Sequence, residues 1–137
     1  MKYIILYLLS QLYFCIITIY SALYKLKIFK AVNFSVPILA VGNISMGGTG
    51  KTPMVICLSK LLNNKNIKHV VVSRGYKKQS KGTVLVSNGI KPVSDFVENA
   101  YVCGDEAYLI AVKLPNTPVV VGENKINAIK FAIKKFK

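Results

Sequence analysis

The chain has 137 residues and a net charge of +14, with a pI near 9.8. That length suits one domain of ordinary size. Such a charge favours anionic partners, namely phosphates, nucleotides or acidic lipid. Arg74 is the sole arginine, and lysine lacks the bidentate fork used to read bases, so a sequence-specific nucleic-acid reader is disfavoured. Cys15, Cys57 and Cys103 are odd in number and form no C-x-x-C pair, which argues against a disulfide framework or zinc site. They read as buried small hydrophobes in a reducing compartment. The lone histidine, His69, reads as structural.

Residues 3–24 contain no charge. About 22 residues at 1.5 Å each make roughly 33 Å of helix, close to the thickness of a hydrocarbon core. Tyr3, Tyr7, Tyr20 and Tyr24 sit near its two ends, where aromatic rings favour the interface. The run is too long for a signal-peptide core, and no small-x-small site follows it. An uncleaved membrane anchor is expected over residues 1–30. Lys25, Lys27 and Lys30 would keep the following chain cytoplasmic and attract anionic headgroups.

Residues 31–137 read as one domain of alternating strands and helices. Pro37–Val41 is a short apolar run expected to be a buried strand. From Pro53 to about Asn63, Met54, Val55, Leu58, Leu61 and Leu62 recur at helical spacing. His69–Val72 is expected as a second strand. Ser87-Asn88-Gly89, between Thr83–Val86 and Ile90 onward, carries a hairpin signal. Asp105 is expected to cap a helix reaching Lys113. Pro118–Val121 is another buried strand, and Asn124 opens a basic helix running to the last residue. The alternation predicts an α/β fold with a parallel sheet covered by helices.

Between the first strand and the first helix lies Ser45-Met46-Gly47-Gly48-Thr49-Gly50-Lys51-Thr52. The glycines let backbone N–H groups curl around phosphate oxygens, and the helix N-terminus behind them adds partial positive charge. Lys51 would reach the β- and γ-phosphates, and Thr52 would offer its hydroxyl to Mg²⁺. Ser45 stands where the general phosphate-loop pattern has glycine. Spacing of the G-x-G-x-x-G kind is missing, so a dinucleotide fold is disfavoured. A GTPase is also disfavoured, because Asn124-Lys125-Ile126-Asn127 lacks the guanine-reading aspartate. A basic membrane-surface protein would need no such loop.

The apolar N-terminus followed by Val41-Gly42-Asn43-Ile44-Ser45-Met46-Gly47-Gly48-Thr49-Gly50-Lys51-Thr52-Pro53 resembles the tetraacyldisaccharide 4'-kinase family of the lipid A pathway. Ser73-Arg74-Gly75-Tyr76 and Gly104-Asp105-Glu106 match two further family stretches. The resemblance implies a P-loop kinase at the inner membrane, facing the cytoplasm and acting as a monomer. It implies transfer of the ATP γ-phosphate, with Mg²⁺, to the 4'-hydroxyl of a lipid A disaccharide 1-phosphate. In that reading Asp105 and Lys51 serve catalysis, Ser45–Thr52 hold the nucleotide, Thr52 binds the metal, and Arg74 and Lys125 contact the lipid substrate. Lys125 stands where the family is expected to carry arginine. The resemblance also implies a longer protein. A strand ending in paired aspartates, the Mg²⁺-binding element, is expected after Lys137, so the sheet and the activity of these residues alone are expected to be incomplete.

Overall fold

The structure is a computed structural model that describes residues 2–43, 48–91, 93–97 and 100–136. It divides into two compact units, Met1–Pro37 and Ile38–Lys137.

The first unit is dominated by helix α1 (Lys2–Lys25). Tyr3–Lys25 is long and apolar enough to cross a membrane, and none of it is buried by protein. The helix ends in a defined turn. Lys27 adopts φ 58°, Lys27 N–H donates to Tyr24 O, and Ile28 N–H donates to Leu23 O. This is a Schellman arrangement, which satisfies the last carbonyls. The turn folds Phe29 back onto Tyr20 and Tyr24, its ring centroid 5.6 and 5.5 Å from theirs, while the two tyrosine rings are 5.2 Å apart.

The second unit contains α2 (Lys51–Asn64), β1 (Val71–Ser73), β2 (Thr83–Asn88), a 3-10 turn (Val93–Asp95), α3 (Ala100–Cys103), α4 (Asp105–Lys113), β3 (Pro118–Gly122) and α5 (Lys125–Phe136). The sheet order is β1-β3-β2. β1 runs parallel to β3, with Val71 opposite Val119 and Ser73 opposite Val121. β2 runs antiparallel to β3. The sheet is therefore mixed, which corrects the all-parallel expectation. The short link 74–82 carries no helix, so the chain does not cross back over the sheet before β2 begins and must reverse direction.

β3 is the centre of the fold. Val119, Val120 and Val121 are all fully buried, each worth about 1.5–3 kcal/mol relative to exposure. Because side chains alternate along a strand, Val119 and Val121 pack with Val86, Ala107, Ile110 and Ala111 on one face. Val120 packs with Ala128 and Ala132 of α5 on the other. A register shift between Leu85 and Ser87 makes the adjacent Val86 and Ser87 both buried, as a bulge does.

Other expectations also need correction. Pro37–Val41 forms no strand; Ile38 and Leu39 are 52% and 70% exposed, with no strand paired to them among the described residues. The turn at Ser87-Asn88-Gly89 is real, since Asn88 Oδ1 accepts from Ile90 N–H and Lys91 N–H at 2.9 Å. It leads into the 3-10 turn rather than a returning strand, because β2 already has β3 as its partner. Cys103 is buried, whereas Cys15 and Cys57 are exposed, Cys57 on the outer face of α2. Asn124 does cap α5, its Oδ1 accepting from Asn127 N–H at 3.2 Å.

Candidate functional site

α2 begins at the predicted loop. Gly50 is its N-cap, with φ 80°, a conformation that suits glycine. Lys51 and Thr52 follow in the first turn, and Pro53 costs nothing there because that N–H has no helical partner. Gly48, Thr49, Gly50, Lys51, Thr52 and Pro53 line an open depression of about 350 Å³. Ser45, Met46 and Gly47 lie outside the described residues.

Two polar contacts organise this loop. The Asn43 amide meets the Thr49 hydroxyl, and with its oxygen turned towards the lysine it accepts from Lys51 Nζ at 2.9 Å. The Thr52 hydroxyl donates to Glu106 Oε1 at 2.6 Å. Thr52 and Glu106 are each the second residue of their helices, so the first turns of α2 and α4 meet. Their N-terminal partial charges then add in one place, where anions are favoured.

Asp105 is the first residue of α4 and is exposed. It does not cap the helix. Gly104 occupies that position with φ 90° and ψ 142°. A Cβ on Gly104 would lie 2.6 Å from Tyr76 O and 3.2 Å from Gly75 C, so only glycine lets the start of α4 touch the loop after β1. Gly104 thus packs directly on Gly75 and Tyr76, which brings two stretches far apart in sequence, Gly104-Asp105 and Arg74-Gly75-Tyr76, side by side.

Arg74 leaves the end of β1 and is exposed. Lys125 opens α5 directly after the two-residue turn Glu123-Asn124 that follows β3, and is also exposed. Because β1 and β3 are parallel and Ser73 pairs with Val121, both loops leave the same end of the sheet. Open α/β sheets place ligands outside the carboxyl ends of their strands. The structure therefore gathers Lys51, Thr52, Asp105, Arg74 and Lys125 into the elements of one end.

Burial pushes the Cys103 thiol up from its ordinary value, and the negative charge of nearby Asp105 adds to the rise. Cys103 is thus a packed thiol rather than a nucleophile. Among the described residues, no group of three or more His, Cys, Asp or Glu is placed to hold a metal. The Thr52–Glu106 pair nonetheless offers one hydroxyl and one carboxylate oxygen, the donor chemistry Mg²⁺ takes when phosphates and water complete its shell.

Glu106 is what sequence reasoning missed. It stands in the Gly104-Asp105-Glu106 match but carried no role there, and nothing in the sequence told that it would face a threonine 54 positions away. Asn43 was missed likewise.

The site is that of an α/β protein in which a glycine loop opens a helix and a carboxylate from a second helix faces its threonine. A family model described as tetraacyldisaccharide-1-P 4'-kinase matches residues 2–137, and the chain belongs to that family. It is 42% identical over 131 residues to the tetraacyldisaccharide 4'-kinase of Wigglesworthia glossinidia brevipalpis, covering 96% of this chain and 34% of that protein. It is 39% identical over 134 residues to the same-named protein of Halothermothrix orenii, with the same coverage. It also resembles the crystal structure of LpxK from Aquifex aeolicus in complex with ATP, with a TM-score of 0.75 and 38% identity over 92% of this chain and 38% of that one. The chain spans about a third of the length of the curated relatives it matches.

Proposed function

We propose that these residues form the nucleotide-binding part of a kinase that transfers the γ-phosphate of ATP to the 4'-hydroxyl of a tetraacyldisaccharide 1-phosphate. The observation that carries this is the Thr52–Glu106 hydrogen bond, which joins the phosphate loop to the Gly104-Asp105-Glu106 stretch. The relatives are named for this reaction, and the Aquifex structure is an ATP complex.

In this reading the loop N–H groups and Lys51 hold the β- and γ-phosphates in an N-terminal helix field. Lys51 exchanges its contact with Asn43 for phosphate oxygens. Thr52 and Glu106 would hold Mg²⁺, which would supply neutralisation of charge on the transferred group. Asp105, adjacent and exposed, orients the sugar hydroxyl and takes its proton. Arg74 and Lys125 meet the anionic groups of the acceptor. Lys125 does so as a point charge rather than a fork. The P-loop NTPase class is the fold in which this arrangement works.

We further infer an inner-membrane location with the catalytic unit on the cytoplasmic side. The uncharged α1 and the flanking Lys25, Lys27 and Lys30 support it. The acceptor carries acyl chains, so a membrane anchor keeps enzyme and substrate in one plane.

The test is a titration of the purified chain with ATP, with and without Mg²⁺. A companion chimera replaces the matching third of the Wigglesworthia protein with this chain and is assayed with labelled ATP and the disaccharide 1-phosphate. Saturable ATP binding and 4'-phosphorylation by the chimera are expected. A folded chain that binds no ATP under either condition would reject the reading.

A further inference from the structure

Lys78 differs from the other lysines of this lysine-rich chain, because its side chain is only 2% exposed. Burying an ammonium group is costly unless every N–H finds an acceptor. Lys78 meets that requirement with three oxygens. Nζ donates to Ser80 O, to Gly82 O at 3.0 Å and to Glu123 Oε1 at 3.2 Å.

Those acceptors belong to different parts of the fold. Ser80 and Gly82 close the loop that follows β1 and lead into β2. Glu123 lies in the turn after β3, and its side chain is 65% exposed. The Lys78 stem lies across Gly75, where a Cβ would come within 2.6 Å of Lys78 Cδ. Lys78 N–H also donates to Gly75 O at 3.1 Å. One cation therefore ties the loop carrying Arg74 to the turn leading into Lys125. Gln79 N–H to Tyr101 O at 2.8 Å and Ser80 Oγ to Val102 O tie the same loop to α3 instead, so it is the Lys78 ammonium that joins it to the turn after β3.

We infer that Lys78 is a positioning residue that sets the spacing of Arg74 and Lys125 for an acceptor bearing a phosphate. This rests on the proposal that those two residues contact the acceptor. Lys78 itself is too buried to reach a ligand. Its ammonium is consumed by protein oxygens, and its role is to hold two loops that emerge from parallel strands at a fixed separation.

The experiment measures binding of the disaccharide 1-phosphate, in detergent micelles, and binding of ATP, by wild type, Lys78→Met, Glu123→Gln, Arg74→Ala and Lys125→Ala. Lys78→Met keeps most of the stem and removes the charge. It should weaken acceptor binding on the order of 10–100-fold, the scale at which small misplacement acts. ATP affinity should stay within about twofold, since the loop at Gly48–Thr52 is braced by Asn43 and Glu106 instead. Amide exchange should quicken in residues 74–82 and 122–126 and stay unchanged in α2. If Lys78→Met does not fold, Glu123→Gln decides, because it alters only the exposed end of the brace; a smaller loss in the same direction is expected. If Arg74→Ala and Lys125→Ala weaken acceptor binding but neither Lys78→Met nor Glu123→Gln does, the positioning role is overturned while the reading of the site stands. If Arg74→Ala and Lys125→Ala leave acceptor binding unchanged, both fall.

Discussion

Thr52 and Glu106 share a 2.6 Å hydrogen bond across 54 residues of sequence, and that bond joins the first turn of α2 to the first turn of α4. In the proposed reading this hydroxyl and carboxylate would share a divalent cation. Glu106→Gln keeps an acceptor for the Thr52 hydroxyl and removes the charge. The fold should persist, with little change in thermal midpoint. The gain in ATP affinity that Mg²⁺ brings should shrink by roughly 10–100-fold, the usual cost of disturbing a metal ligand's surroundings. Calorimetric titration with and without Mg²⁺ measures this. An undiminished Mg²⁺ effect would remove Glu106 from the metal site.

Lys51 is exposed and reaches Asn43 rather than an acid, so it is free to change partners when phosphate arrives. Lys51→Ala should leave the circular dichroism spectrum intact. ATP affinity should fall by about 1.5–3 kcal/mol, the range for a charged hydrogen bond, or roughly 10–100-fold. Equal affinity in a folded variant would sink the phosphate-loop assignment.

The parts legible in the sequence were those whose cause is local. α4 runs from Asp105 to Lys113 and β3 begins at Pro118 as their apolar patterns and punctuation required. The Asn124 cap is likewise a short-range hydrogen bond. What failed depends on partners distant in the chain. Whether Pro37–Val41 becomes a strand depends on a neighbour to pair with, which its own composition does not reveal. The antiparallel course of β2 follows from the short link 74–82 and from β3 lying between β1 and β2. For the site, the loop and the Gly-Asp-Glu stretch stood out as motifs. Their meeting through Glu106, and the packing of Gly104 against Tyr76 O, are tertiary facts.

Asp105 sits at the first helical position with Gly104 as the cap, so its carboxylate is not needed to close the helix. Asp105→Asn removes a favourable charge at a helix N-terminus, worth less than about 1 kcal/mol at an exposed position. Stability should therefore change little, while 4'-phosphorylation by the chimera should fall about 10²–10⁴-fold, the scale of general-base catalysis. A rate near that of the parent chimera would reduce Asp105 to a helix-dipole partner.

Cys103 links stability to pH. Burial raises its pKa above the ordinary thiol value of 9.0. The neutral thiol is favoured in the folded state, so the unfolded state loses its proton first as pH rises. Cys103 therefore contributes fully below pH 9, and the contribution is lost as pH climbs through the raised folded value. Urea unfolding from pH 7 to pH 10.5 should show a steeper decline for wild type than for Cys103→Ala. Parallel curves would show that Cys103 titrates alike in both states.

The proposed membrane anchoring makes the last prediction. α1 presents apolar side chains all round with none buried by protein, which for a helix of this length is costly in water and favourable in a bilayer. Its C-terminal end holds Tyr20, Tyr24 and Phe29 in ring contact, beside Lys25, Lys27 and Lys30. Aromatic rings favour the headgroup level, and each lysine near an anionic surface adds about 1 kcal/mol. The Schellman turn at Lys27 ends the helix there, so the rings and the charges mark one depth. In flotation assays the chain should rise with vesicles containing anionic lipid. Replacing the three lysines with glutamine should weaken that association on anionic vesicles but not on neutral ones. Removing residues 1–30 should abolish it on both. In cells, the proposed topology puts the chain after Lys30 in the cytoplasm, so protease added outside intact spheroplasts should not cut beyond Lys30. Cutting there would invert the topology, and a chain that stays soluble in every vesicle preparation would rule out the anchor itself.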